Sequence, residues 1–239
     1  VNANDAPVIT TTSFTDIPEE QTTVGTLAAT DADSGDSITF AISGGADRLK
    51  FSAGGIGGST LAFNGFTPDF DSPGSASNSN TYEVEITATD NGTGTLTDIQ
   101  TITVVVTDTN DEAPELTVAT PYSVAEGTTA VGTVTTTDAD AGTTFTYTLS
   151  GTDAADFEIT KTEGTQAGVL VFKAASTPDF ETQTSYSLNV VVSDTLNTTT
   201  EAIVVNITDT NDNSPVLTAA ETYSVAEGET AVGTVTTTD

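Results

Sequence analysis

The chain has 239 residues, 35 acidic against 4 basic side chains, no His, and a formal net charge of −31. With only Arg48, Lys50, Lys161 and Lys173 as cations it has no means of gripping a phosphate backbone, which excludes nucleic acid as a partner. Self-repulsion at this charge density strains any compact state unless divalent cations gather where the carboxylates cluster.

An apolar fraction of 36%, with ten Phe and five Tyr in regular patterns, argues for a folded chain rather than a disordered acidic one. Cysteine is absent, so neither a disulfide framework nor thiol chemistry is available. No run approaches the roughly 18 apolar residues of a spanning helix, and no basic-then-apolar leader is present. The expectation is an interior piece of a longer protein.

Taken in chain order, "VNANDAP" opens the sequence, and its pattern returns as "TDTNDEAP" ending at Pro114 and "TDTNDNSP" ending at Pro215. "FTDIPEEQTTVGTLAATDADSG", from Phe14, shares a frame with "YSVAEGTTAVGTVTTTD" from Tyr122 to Asp138. The latter recurs from Tyr223 to Asp239 with Thr128 replaced by Glu229 as the single change. The chain therefore reads as two complete repeats, 1–112 and 113–213, and the start of a third, 214–239.

Within the first repeat "ITFAIS" is a predicted strand, "GADRLKF" allows one helical turn, and "GGIGGST" is a flexible connection. No Lys and no helix follow those glycines, so they do not form a phosphate cradle. "TYEVEITATD" alternates Tyr82, Val84, Ile86 and Ala88 with polar residues, and "TITVVVTD" does so with Ile102, Val104 and Val106. The second repeat copies each element: "FTYTLS", the turn "GTDAADF", "SYSLNVVVSD" with Tyr186, Leu188, Val190 and Val192, then "IVVNITD" with Ile203, Val205 and Ile207. Period-two strands between Gly, Asn, Asp and Pro predict an all-β chain: tandem antiparallel, Greek-key β-sandwiches of about seven strands per roughly 100 residues. Phe51, Phe63, Phe157, Phe172, Tyr82 and Tyr186 sit at matching positions and are predicted core.

The carboxylates fall at strand ends and in loops. Each repeat has a Glu before its second strand region (Glu19 or Glu20, Glu126, Glu227) and a "DAD" or its start (Asp31 and Asp33, Asp138 and Asp140, Asp239). Each complete repeat adds an acidic pair in "PDF[DE]" (Asp69 and Asp71, Asp179 and Glu181) and a strand-terminal Asp (Asp90, Asp194). Register with Glu126, counted back from Val-Gly-Thr, favours Glu19 over Glu20. A sandwich collects its loops at two poles, so the acids of one repeat's lower pole are expected to meet those of the next repeat's upper pole. Calcium, with six to eight hard oxygen ligands, suits such a set better than zinc. An EF-hand is rejected, because the loop opening at Asp31 has Ile42 at its twelfth position.

In combination, "AEG", "DAD", "PDFE", "SLNVVVSD" and "DTNDNSP" resemble the cadherin repeat over the whole chain, and the "PDFE" variant looks like bacterial cadherin-like repeats of large surface proteins. The resemblance implies about three calcium ions at each interdomain junction. At the first it implies that Glu19, Asp69, Asp71, Asp108 and Asp111, with Asp140 and the Thr109 carbonyl, hold two ions. Asn110, Asp138, Asp140 and Asp194, with the Glu112 carbonyl, would hold the third. At the second junction Glu126, Asp179, Glu181, Asp209, Thr210 and Asp212 match the first two ions, and Asn211 with Asp239 begins the third. Asn4, Asp5, Asp31, Asp33 and Asp90 remain of a site shared with an upstream repeat. Asp71 is a shorter arm than Glu181, and "NAND" lacks the leading Asp of the other linkers, so these sites are expected to differ in strength.

The implied function is a calcium-rigidified extracellular rod in a cell-surface adhesion protein, binding homophilic copies, other proteins or glycans. The alternatives are a filament subunit whose partial third repeat is completed by another chain, and a glycan-binding module. No enzyme is expected, since the chain has no His, no Cys and no nucleophile elbow, and its acids are placed at junctions. Asn91, Asn197 and Asn206 begin N-x-T triplets, which a bacterial source would leave unused.

Overall fold

The computed structural model describes residues 3–162, 165–219 and 222–238. In the first repeat the strands are β1 (Val8–Ile9), β2 (Ser13–Pro18), β3 (Thr23–Thr26), β4 (Ala29–Thr30), β5 (Thr39–Gly44), β6 (Phe51–Gly54), β7 (Thr60–Phe63), β8 (Thr81–Thr89) and β9 (Thr97–Thr107). They form a sheet ordered β2-β9-β8-β5, a second ordered β3-β7-β6, and the short pair β1-β4. The period-two reading holds: Tyr82, Val84, Ile86, Ala88, Ile102 and Val104 have no exposed surface. Between the sheets Phe51 stacks on Phe63 at 4.8 Å, and Tyr82 meets Phe63 edge-on at 5.3 Å. Phe66 joins them 5.7 Å from both Phe63 and Tyr82. Truncating one such buried aromatic costs on the order of 3–5 kcal/mol.

The second repeat contains β10 (Glu115–Thr117), β11 (Tyr122–Ala125), β12 (Ala130–Thr137), β13 (Thr146–Ser150), β14 (Phe157–Lys161), β15 (Ala167–Phe172), β16 (Ser185–Ser193) and β17 (Thr198–Thr208). Its sheets run β10-β12-β15-β14 and β11-β17-β16-β13. Phe157, Phe172 and Tyr186 repeat the aromatic core, with centroids 4.2 and 5.0 Å apart along the series. Further on, β18 (Val216–Thr218) pairs with β19 (Thr236–Thr238).

The sandwiches are not purely antiparallel, as alternation alone suggests. β2 pairs parallel with β9, and β11 parallel with β17. In each repeat the first strand is broken, so that β1 pairs with β4 while β2 joins the other sheet beside the last strand. The β2–β9 register shifts between Phe14 and Ile17, where Asp16 takes φ 58°, a left-handed conformation that short polar Asp tolerates. The shift delivers Pro18 opposite Thr107, and the Glu19 amide then donates to the Thr107 carbonyl at 3.0 Å. That contact fixes the first acidic residue beside the segment carrying Asp108.

The two predicted single turns are 3-10 turns, Arg48–Lys50 and Ala154–Asp156. Gly45 precedes the first at φ +97°, and a Cβ there would lie 2.6 Å from Val84 Cα and 2.7 Å from the Glu83 carbonyl oxygen. Gly45→Ala is therefore expected to destabilise the first sandwich by on the order of 3 kcal/mol in urea denaturation. The matching Gly151→Ala should cost less, because its nearest backbone atom is 3.1 Å away.

Two compact units form. The first comprises the described residues up to Pro114 with Thr137–Phe145 and Ser193–Thr198; the second comprises Glu115–Thr136, Thr146–Val192 and the described residues from Thr199 onward. The loops carrying Asp138, Asp140 and Asp194 thus cluster with the first unit. Among the described residues no helix is long and apolar enough to cross a membrane.

Candidate metal centre

Glu19 is buried at the end of β2, only 5% exposed, and its carboxylate is held by main-chain donors. Phe70 N–H donates to Oε2 at 2.6 Å, Thr109 N–H to Oε1 at 2.8 Å, and the Thr109 hydroxyl to Oε1 at 3.3 Å. The second unit repeats this at Glu126, with Phe180 N–H on Oε2 at 2.8 Å and Thr210 N–H and hydroxyl on Oε1 at 2.6 and 3.0 Å. The Thr210 and Phe180 amides hold the Glu126 carboxyl below its ordinary pKa, so it is ionised with no cation present. Glu20 instead takes φ 62° and is exposed, so Glu19 is the buried acid of the two. Glu19→Gln would turn an N–H2 toward one of these donors, leaving a buried amide unsatisfied. A loss of about 1–3 kcal/mol is expected in chelator, read from chemical denaturation.

Around Glu19, ligand atoms of Asp69 and Asp71 lie within 4.8 Å of its carboxylate and of one another. Glu19, Glu20, Asp69, Asp71, Asp111 and Glu112 line one cleft of about 200 Å³, whose lining holds no Lys or Arg. Burial, and then the charges of Glu19 and its acidic neighbours, push Asp71 and Asp111 above the ordinary carboxylate range.

Asp71 also groups with Asp108 and Asp140, and Asp140 groups with Asp138 and Asp194. Asp108 Oδ2 accepts from Ala141 N–H at 2.6 Å, and Asp140 Oδ2 from Glu112 N–H at 3.2 Å. Their other oxygens, Asp108 Oδ1 and Asp140 Oδ1, are buried without a hydrogen-bond partner, as is Asp138 Oδ2. Burial, reinforced by Asp138, pushes the Asp140 carboxyl up to about 6. Burial opposes ionisation of Asp194 too, but the Asn197 and Leu196 amides, at 2.6 and 2.8 Å, outweigh it and hold that carboxyl below its usual value.

Asn110 sits among these acids. One arm of its carboxamide faces Asp194 Oδ2 at 2.9 Å and Asp140 Oδ2 at 3.1 Å. Turned as N–H2 it donates to both; turned as oxygen it makes three converging oxygens that only a cation reconciles. Asn197, which the sequence marked only as the start of an N-x-T triplet, donates from Nδ2 to the Glu112 carbonyl at 2.9 Å.

At the other acidic pole of the first unit, Asp31, Asp33 and Asp36 group within 4.8 Å. Asp33 N–H donates to Asp31 Oδ1 at 2.9 Å, as Asp140 N–H does to Asp138 Oδ1 at 3.1 Å, and Asn4 Nδ2 donates to buried Asp90 at 3.0 Å. Asp36 was missed because the second repeat has Thr143 at its place, so no paired pattern marks it. In the second unit Glu126, Glu181 and Asp212 group together, and Asp209, Thr210 and Asn211 line a cleft with Glu181 and Asp212. Asp179 caps its own turn, accepting from Thr182 N–H and hydroxyl at 3.1 and 2.9 Å. Asp239 lies outside the described residues.

No protein-family model matches the chain. Solved structures do. A protocadherin gammaB4 extracellular domain matches at 26% identity with TM-score 0.73, over 100% of this chain and 38% of that one. Mouse cadherin-23 EC22-24 matches at 21% and 0.73, over 99% and 78%. The human desmocollin-1 ectodomain matches at 22% and 0.69, over 88% and 43%. The chain spans 38–56% of the protocadherin chains it matches. Its fold is that of tandem cadherin-like repeats, all-β and built from β-sandwiches.

Proposed function

We propose that the chain is a calcium-rigidified segment of an extracellular adhesion protein, organised as repeats 1–112 and 113–213 with the opening of a third at 214–239. The observation that carries this reading is the set of buried carboxylate oxygens with no donor, Asp108 Oδ1, Asp138 Oδ2 and Asp140 Oδ1, which belong to two acidic groups that share Asp140. A buried acceptor without a donor, beside other anions, is costly. A divalent cation removes that cost, and an all-oxygen donor set of carboxylates, carboxamide and carbonyls fits calcium.

Glu19, Asp69, Asp71, Asp108, Asp111 and Asp140, with the Thr109 carbonyl, form one part of the centre. Asn110, Asp138 and Asp194, with the Glu112 carbonyl, form the rest. Glu126, Asp179, Glu181, Asp209, Asn211 and Asp212 form the second centre, and Asn4, Asp31, Asp33, Asp36 and Asp90 the one upstream. Calcium supplies positive charge that reverses the mutual repulsion of these acids. The chain's own part is to hold the carboxylates in place beforehand through the amides of Phe70, Thr109, Ala141 and Glu112. A calcium tie between segment 108–112 and the loops of Asp140 and Asp194 restricts how the second repeat can move against the first. The cadherin ectodomain fold supports adhesion as the use of such a rod. Small-angle scattering tests the mechanism: calcium, and not magnesium, should convert a broad distribution of dimensions into a narrow extended one. Identical curves in calcium and chelator would remove rigidification from the account.

A further inference from the structure

The three linkers carry an Asn at one place, Asn4 in "NAND", Asn110 in "DTND" and Asn211 in the second "DTND", each followed by Asp. In so acidic a segment a neutral side chain needs a reason, because an Asp there would give a cation one more charged oxygen. A carboxylate only accepts hydrogen bonds. A carboxamide carries an acceptor on one arm and two donors on the other, and a half turn about its last bond exchanges them.

Asn110 has a partner in either orientation. One arm faces Asp194 Oδ2 and Asp140 Oδ2, at 2.9 and 3.1 Å, and the other lies 3.3 Å from the Asp194 carbonyl oxygen. With nitrogen toward the acids, Asn110 makes two hydrogen bonds to charged acceptors. With oxygen toward them, it keeps one neutral bond, from Nδ2 to the Asp194 carbonyl. Bonds to an ionised acceptor are roughly twice as strong as neutral ones, so without a cation the first orientation wins. A cation among the same oxygens reverses the preference, because it attracts the amide oxygen and repels the N–H2.

The surrounding side chains are fixed for this exchange. Asp194 is 2% exposed, and its Oδ1 is taken by the Leu196 and Asn197 amides at 2.8 and 2.6 Å, which leaves Oδ2 for Asn110. Asp140 is 4% exposed; its Oδ2 accepts from Glu112 N–H at 3.2 Å and its Oδ1 has no hydrogen-bond partner. The upstream pole repeats the arrangement independently. Asp90, 4% exposed, gives Oδ1 to the Gly92 and Leu96 amides at 3.1 and 3.0 Å, and its Oδ2 accepts from Asn4 Nδ2 at 3.0 Å. There the carboxamide stands in the donating orientation, although the loops after Asp90 and Asp194 differ in length and sequence.

We propose that Asn110 is a two-position latch: its N–H2 takes the place of a cation between Asp140 and Asp194 when no ion is bound, and its carboxamide turns to present Oδ1 when one binds. Asn110 lowers the cost of the ion-free cluster and weakens the ion's hold by the same amount, since two hydrogen bonds are given up on binding. An Asp in its place would hold the ion more tightly and, without it, set three anions facing one another. The latch rests on the calcium reading of this centre, but its first position is observable in chelator alone.

Side-chain amide NMR on the full chain, wild type and Asn110→Ala, in chelator and in calcium, tests it. The N–H2 pair that Asn110→Ala removes belongs to Asn110, and sequential assignment of the wild type supplies the same pair if that variant does not fold. In chelator the pair should exchange with water about tenfold or more slowly than that of exposed Asn64, and in calcium it should shift and lose most of that protection. Asn110→Ala should lower the melting temperature in chelator by about 2–4 °C, because it strips a donor from two carboxylates. Asn110→Asp should bind calcium about tenfold more tightly in calorimetric titration. A pair that exchanges as fast as Asn64 in chelator, or a folded Asn110→Ala that melts there with the wild type, overturns the proposal. Asn110 signals that stay in place while the main-chain amides of Asp111 and Glu112 move with calcium also overturn it, and leave the calcium centre standing. If calcium moves none of these signals, the calcium reading falls and the latch falls with it.

Discussion

Chelating calcium is expected to lower the melting temperature of the chain by on the order of 10 °C, and magnesium should not restore it. A ligand at about a hundredfold excess over its dissociation constant stabilises the folded state by roughly 2.7 kcal/mol per site. For a chain of this size each kcal/mol moves the midpoint by about 2–4 °C, so a few filled sites suffice. Asp140→Asn should remove much of the shift, because Asp140 belongs to both carboxylate groups of the first centre. In chelator the same substitution should be neutral or stabilising, since it removes one of several crowded charges and supplies a neutral side chain where burial disfavours an anion. Equal midpoints in calcium, magnesium and chelator would leave the buried oxygens unexplained and the reading without support.

The second large effect is a reversal in pH dependence. Asp140 titrates at about 6 in the folded chain against an ordinary 3.8, so between those values the folded state holds a proton that the unfolded state has lost. Stability of the calcium-free protein therefore falls as pH rises from about 4 to about 6, with Asp71 and Asp111 contributing in the same direction. Glu126 and Asp194, held below their ordinary values, act oppositely and lower down: their contribution is present above the unfolded value and is lost as pH falls through the folded one. With calcium bound, protons compete for the same oxygens, so stability should rise from pH 4 to 6 instead. Thermal melts across this range, with and without calcium, read both slopes. Parallel slopes would contradict the assignment of Asp140 to a cation centre.

Much of this was legible in the sequence for physical reasons. Period-two alternation reports burial directly, and so Tyr82 to Ala88 and Leu188 to Val192 lie where the pattern puts them. Repetition supplied what a single motif lacks: register with Glu126 separated Glu19 from Glu20, and the structure shows why, since only Glu19 meets the amides of residues 70 and 109. What escaped has no periodic signature. The parallel pairing of β2 with β9 depends on a break in the first strand that local composition does not encode. Asp47 reads as an ordinary turn residue but is buried, because its carboxylate holds Ala76 N–H at 2.7 Å and Glu83 N–H at 2.9 Å, clamping a loop longer than its counterpart in the second repeat. Asp36 and Asn197 reach the acidic poles through loop conformation; nothing in its neighbours marks Asp36, and the triplet that marks Asn197 says nothing of a cation.

The most direct test is calorimetric titration of calcium into the full chain, in excess magnesium at neutral pH, with wild type and Asp140→Asn side by side. Saturable calcium binding that weakens in the variant, and weakens again below about pH 6, is the predicted result. Heats indistinguishable from dilution, or binding identical in the two proteins, would show that the buried carboxylates of Asp108, Asp138 and Asp140 do not form a calcium centre.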